Sequence, residues 1–148
     1  MKKIGDIGEN FVALWLKTQG YQLLARNWHC RWGEIDLIAR ETATQTLAFV
    51  EVKTRSHNNW DECGLMAISD RKQEKLSQTA ALFLSQQPHL ADCSCRFDVA
   101  LVSYQKYHQH LTRQSCNSST ITIGQPFIWE NTYRLTLENY LQSAFDLS

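Results

Sequence analysis

Fourteen residues separate Asp36 from the tripeptide Glu51-Val52-Lys53. Both lie in stretches that alternate like strands, about 34–40 and about 47–54, rich in apolar and β-branched residues. On the first, Ile35, Leu37 and Ala39 are expected on one face and Glu34, Asp36 and Ile38 on the other. On the second, Ala48, Val50 and Val52 are expected opposite Phe49, Glu51 and Lys53. A turn centred between Ala43 and Thr44 would set Asp36 across from Glu51 and Glu34 across from Lys53. Directly opposed side chains have Cβ atoms about 4.5–5.5 Å apart, and like charges there are destabilising. A proton, a neighbouring lysine or a divalent cation would each relieve Asp36 against Glu51. A one-residue slip would separate the two acids onto opposite faces.

The remaining elements must bring other groups to this hairpin. Residues 5–20 read as a helix stopped by Gly20, with Glu9, Val12, Ala13 and Leu16 on one stripe. Glu9 then either complements the helix dipole or aims at the same place as Asp36. A strand is expected over 21–28, with Arg26, His29 and Arg31 clustered around Trp28 and Trp32. Basic and aromatic residues together suit a phosphate backbone with exposed bases, and equally a strand edge with a core tryptophan. Residues 56–66 read as a loop beside the hairpin.

Ser69 or Asp70 caps a helix running to about Gln87, with Leu76, Ala80, Phe83 and Leu84 inward and Lys72 and Lys75 projecting. After a loop over 88–95, residues 96–104 alternate as a strand. Its Asp98 is either a supporting group of the site or an ion-pair partner of Arg96. Residues 107–119 are polar, and His108-Gln109-His110 is not read as a metal site. Residues 120–123 and 127–129 are expected to pair as short strands, and 135–145 to form a final helix.

The chain has 148 residues, 43% of them hydrophobic, which suits one domain over 1–148 in which 105–134 is an excursion. Fifteen basic residues balance fifteen acidic ones, so net charge does not advertise nucleic acid. The five cysteines, at 30, 63, 93, 95 and 116, are odd in number and irregular in spacing. Free thiols are expected rather than a disulfide framework, and Cys93-Ser94-Cys95 signals zinc only weakly. No run is long and apolar enough for a signal peptide or a membrane span, so a cytoplasmic protein is expected.

An aspartate one hairpin before an E-x-K, with a glutamate on a preceding helix, resembles the PD-(D/E)XK nuclease superfamily. GEN at 8–10, GYQLLARNW at 20–28, GEIDLIAR at 33–40, FVEVKTR at 49–55, RKQEKL at 71–76 and RFDVALV at 96–102 are similar to the YraN-like family of bacterial endonuclease-like proteins. The likeness spans about 4–104 and the LENYLQSAF ending. The hairpin loop is longer than that family's and lacks its glycine turn, by an even number that preserves the facing of the acids.

The resemblance implies an α/β fold with a restriction-endonuclease-like core, a mixed central β-sheet flanked by helices. It implies that Asp36, Glu51 and the Val52 carbonyl would ligate Mg²⁺ or Mn²⁺, with Glu9 completing the shell directly or through water. Lys53 would act on the attacking water or on developing negative charge. The expected activity is metal-dependent hydrolysis of DNA phosphodiesters, with branched or repair intermediates among the candidate substrates. Arg26, His29, Arg31, Lys53, Arg55 and Lys72 would contact the nucleic acid. A non-catalytic nucleic-acid-binding module and a partner-binding protein are the alternatives, and a homodimer is left open. No membrane partner is expected.

Overall fold

The computed structural model describes residues 3–57, 68–107 and 120–145. Helix α1 (Ile4–Thr18) leads into strand β1 (Tyr21–Cys30), then β2 (Gly33–Glu41) and β3 (Thr46–Ser56). Helix α2 (Asp70–Ser85) and a short 3-10 turn (Pro88–Leu90) precede β4 (Cys95–Lys106), β5 (Phe127–Trp129) and β6 (Tyr133–Phe145). The described strands form one six-stranded sheet in the order β1-β2-β3-β4-β6-β5. Its β3–β4 pair is parallel and its other pairs antiparallel. A parallel pair needs a long crossover, and α2 lies within it. The fold is mixed α/β with a restriction-endonuclease-like core. No helix among the described residues is long and apolar enough to cross a membrane.

The helices start and stop where local chemistry dictates. Ser69 caps α2, its Oγ accepting the Lys72 N–H at 3.3 Å. After α1 the chain turns at Gly20, whose φ of +86° suits a residue without a Cβ. Each helix buries an apolar stripe against its own face of the sheet. Under α1, Phe11, Val12, Ala13 and Leu16 meet Leu37, Ala39, Ala48, Val50, Ala100 and Val102. Under α2, Leu76, Ala80 and Phe83 meet Ile35, Ile38, Phe49 and Phe97.

The hairpin register is the expected one. Leu37 pairs with Val50 and Glu41 with Thr46, leaving residues 42–45 as a turn centred between Ala43 and Thr44. The expected facing of β2 holds only in part. Ile35 packs with the α2 side, whereas Leu37 and Ala39 pack with the α1 side. The neighbouring strand is irregular at the same level. Arg26 pairs with Leu37 and Trp28 with Ile35, and between them Asn27 takes a left-handed φ of 48°. Asparagine tolerates that conformation better than most residues. The facing of β2 changes on either side of Asp36, level with Asn27.

The chain end departs from expectation more strongly. Residues 133–145 form strand β6, not a helix, and β6 pairs with β4. Leu137, Leu141 and Phe145 sit four apart, which imitates a helical stripe. The register shifts between Leu101/Val102 and between Phe97/Val99 insert extra residues in β6, and each bulge breaks the two-residue period. Phe145 thereby reaches Phe97, ring centroids 4.6 Å apart. Residues 127–129 do form a strand, but its partner is β6 and not 120–123. The loop expected over 56–66 and the His108–His110 segment lie largely or wholly outside the described residues.

Gly8 sets how closely α1 approaches β3. A Cβ there would overlap Thr54 Oγ1 and lie 3.1 Å from Thr54 Cβ. We therefore expect Gly8→Ala to lose about 1–3 kcal/mol of stability, the usual cost of overpacking, measured by denaturant unfolding. Gly8→Ala combined with Thr54→Ala should recover most of that loss, because the second change vacates the space.

Candidate functional site

Pairing between β2 and β3 ends at Leu37 and Val50. Beyond that point β3 stays paired with β4 as far as Ser56, and the Asp36 carboxylate meets β3 directly. Its Oδ2 accepts the Val52 N–H at 2.8 Å. Continuing the register places Asp36 level with Glu51. Burial, then Glu51, push the Asp36 pKa from 3.8 up to about 7, with Glu9 and Glu34 adding to the rise and the Val52 N–H opposing it. The acid-against-acid pairing thus costs the fold something, as the sequence predicts.

Glu9 arrives from α1. It lies in the second turn, behind Asp6 in the first, which is beyond the reach where a helix dipole is strongest. Only 8% of it is exposed. Burial and the nearby acids Asp6, Glu34 and Glu51 raise its pKa from 4.5 to about 7, against the pull of Arg26. With the Asn27 amide nitrogen turned toward the carboxylates, it donates to Glu9 Oε1 at 2.5 Å and Glu34 Oε1 at 2.9 Å. Asn27 therefore ties α1 to β2. Neither Asn27 nor Glu34 stands out as a site residue in the sequence; the signal was an asparagine inside an otherwise regular strand.

Glu51 arrives from β3 and takes an ion pair across the molecule. Lys72 Nζ, from the first turn of α2, lies 2.6 Å from Glu51 Oε1. Lys53 follows two residues later, its pKa lowered by burial and by Lys72 while Glu51 opposes. Thr54 Oγ1, buried under Gly8, has no hydrogen-bond partner among the described residues.

The expected nucleic-acid contacts divide among these elements. Arg26 is exposed and bonds to Asn10 Oδ1. Exposed His29 has its Nδ1 3.2 Å from the Asn27 carbonyl. Arg31 lies over the Trp32 ring, and the Arg55 guanidinium donates to the Thr54 carbonyl at 2.9 Å. Trp28 belongs to the core, edge-on to Phe83. Asp98 follows the ion-pair reading. Fully buried, it accepts from Arg96 Nε at 3.1 Å, Tyr140 Oη at 2.6 Å and the Ser143 N–H at 3.1 Å. Cys30, Cys93 and Cys95 are free thiols.

Among the described residues, no three His, Cys, Asp or Glu side chains converge as a ready-made metal cage. Lys72 holds Glu51, and Asn27 holds Glu9 and Glu34. The donor set nevertheless fits a hard divalent cation: a buried Asp36 carboxyl whose pKa is raised by burial and by the nearby Glu51, Glu9 and Glu34, and a lysine ammonium standing in as counter-ion on Glu51.

These features define the class: a mixed α/β protein with an endonuclease-like core and a carboxylate–lysine cluster where β2 and β3 part. The chain belongs to the family described as "Uncharacterised protein family UPF0102", the YraN-like proteins, whose model matches residues 8–102. It is 46% identical to a UPF0102 protein of Synechocystis sp. over 98% of this chain and 99% of that protein. It is 44% identical to one of Trichodesmium erythraeum over 95% of this chain and 87% of that protein. A UPF0102 protein of Thermosynechococcus vestitus is 54% identical over 74% of this chain and 90% of its own length.

Proposed function

We propose that the chain is a Mg²⁺- or Mn²⁺-dependent nuclease that hydrolyses DNA phosphodiesters in the cytoplasm, with branched or repair intermediates among its substrates. One observation carries this reading. Asp36 and Glu9 are held beside Glu51 and Glu34 at a cost large enough to move both pKa values to about 7. Burial is the larger cause of both shifts and the neighbouring acids add to it; acids buried beside one another are what a cation-binding site would need.

Asp36 and Glu51, with the Val52 carbonyl, would hold the cation, and Glu9 would join directly or through water. The bound cation supplies charge neutralisation at a phosphate oxygen and a lower pKa for the attacking water. The chain does the rest. The Val52 N–H fixes the Asp36 carboxylate, and Asn27 fixes Glu9. Lys53 carries positive charge beside the acids, where it orients the water or offsets charge developing on the phosphate. Lys72, once drawn off Glu51, joins Arg26, His29, Arg31 and Arg55 as a phosphate contact.

A non-catalytic nucleic-acid-binding module is the second reading. It is favoured by the Lys72–Glu51 pair, in which a lysine already occupies one of the acids. The two part in one experiment: linear, flapped, four-way and single-stranded DNA incubated with the protein and Mg²⁺ or Mn²⁺. Cleavage of any one supports the nuclease. Binding that weakens steeply with salt, with no cleavage of any form, supports the module.

A further inference from the structure

Four of the five tryptophans lie within the described residues, and they differ. Trp15 is 8% exposed, Trp28 packs on Phe83, and Trp129 packs edge-on to Phe11. Trp32 alone among these four stands out as an exposed large hydrophobic residue, at 38%. It occupies the tip between β1 and β2, where the Arg31 guanidinium lies 4.5 Å from its ring centroid. Among the described residues Arg31 makes no ion pair with a carboxylate. Exposed His29 stands just before it.

Helix α2 links this tip to the acid cluster. Cys30 Sγ lies 3.8 Å from Thr79 Oγ1, and a Cβ on Gly33 would lie 3.6 Å from the same oxygen. Lys72, Lys75 and Thr79 fall at i, i+3 and i+7, along one side of the helix. Lys72 touches Glu51 at one end of that side and Thr79 touches the hairpin tip at the other. Seven residues of helix rise about 10 Å. Two lysines, Lys72 paired to Glu51 and the exposed Lys75, therefore lie on α2 between the acids and the hairpin tip that carries the exposed indole.

We infer that Arg31 and Trp32 form a stacking platform for an unpaired base, on a nucleic-acid strand whose phosphates follow Lys75 and Lys72 toward Glu51. The inference rests on the nucleic-acid reading above and narrows it to substrates with a single-stranded portion. An indole face accepts any base, and a guanidinium adds both stacking and charge. Intact duplex keeps its bases stacked inward and offers the platform nothing but phosphates.

The test is fluorescence anisotropy with labelled oligothymidine and with a labelled duplex, using wild type, Trp32→Ala, Trp32→Leu and Trp32→Phe. Trp32→Ala should weaken oligothymidine binding about tenfold or more, the scale of one lost base stack, and change duplex binding less than about twofold, since phosphate contacts remain. Trp32→Phe should restore most of the affinity. Trp32→Leu keeps apolar bulk without the ring and should bind as Trp32→Ala does, which also covers the case of an alanine variant that does not fold. The platform is overturned if Trp32→Ala leaves oligothymidine binding intact, if both probes lose affinity equally, if leucine rescues as well as phenylalanine, or if the wild type binds duplex alone. A wild type that binds neither probe overturns the nucleic-acid reading itself.

Discussion

Asp36→Asn is expected to abolish Mn²⁺ binding while raising the melting temperature of the metal-free protein. In the folded chain Asp36 has a pKa of about 7, against 3.8 for an unperturbed aspartate. Between these values the folded state holds a proton that the unfolded state has released. Stability therefore falls as pH rises from about 4 to about 7 and levels off above. Asparagine removes the ionisation and keeps an oxygen to accept the Val52 N–H. At pH 8 without metal the variant should melt about 2–6 °C above wild type, on the order of 1–2 kcal/mol for a domain of this size. That advantage should fade as pH falls from about 7 toward 4. Saturating Mn²⁺ should reverse the order, because a ligand at one hundred times its dissociation constant stabilises by about 2.7 kcal/mol and only wild type would bind it. Differential scanning fluorimetry at two pH values, with and without Mn²⁺, reads all four states. A variant that melts below wild type at pH 8 without metal would show that the acid cluster is a net structural asset.

Lys53→Ala is expected to separate binding from chemistry. The substitution leaves Asp36, Glu51, Glu9 and Asn27 in place, so Mn²⁺ affinity measured by calorimetry should not fall. It should rise slightly if anything, since one nearby positive charge has gone. DNA affinity should drop modestly, because one phosphate contact among several is lost. The cleavage rate should fall by at least about a hundredfold, the scale seen when a preorganised electrostatic group is removed from a reacting centre. Glu51→Gln should instead lose metal binding and cleavage together. Cleavage by Lys53→Ala at the wild-type rate would move the charge-stabilising role elsewhere, Lys72 being the nearest candidate. Its ammonium already reaches Glu51.

Much of the site's frame was legible because it is local in sequence. The β2–β3 register depends on a turn only a few residues long and on alternation that would bury charge if slipped by one. The sequence poses the Asp36–Glu51 opposition as a consequence of an assumed turn, and the pairing of Leu37 with Val50 agrees with that turn. The same holds for α1 and α2, whose apolar stripes and ends are written within single turns. The family likeness was likewise carried by short motifs around Gly8, Gly33 and Glu51.

What the tertiary structure decided are the contacts made across distance and the places where regular periods break. Bulges in β6 disguise a strand as a helix, and only β4 beside it reveals the true period. A single left-handed residue, Asn27, gathers Glu9 and Glu34 level with the point where β2 changes its facing, which no alternation pattern could foretell. Lys72 reads as a solvated helix residue until α2 is docked, and only then does it meet Glu51. Asp98 could serve the acids or Arg96, and Tyr140 and Ser143, brought in by β6, commit it to the second. Local patterns specify which face a residue presents. Which charge it meets depends on how helices and strands far apart in the chain pack, and that packing is set by the sum of many apolar contacts rather than by any motif.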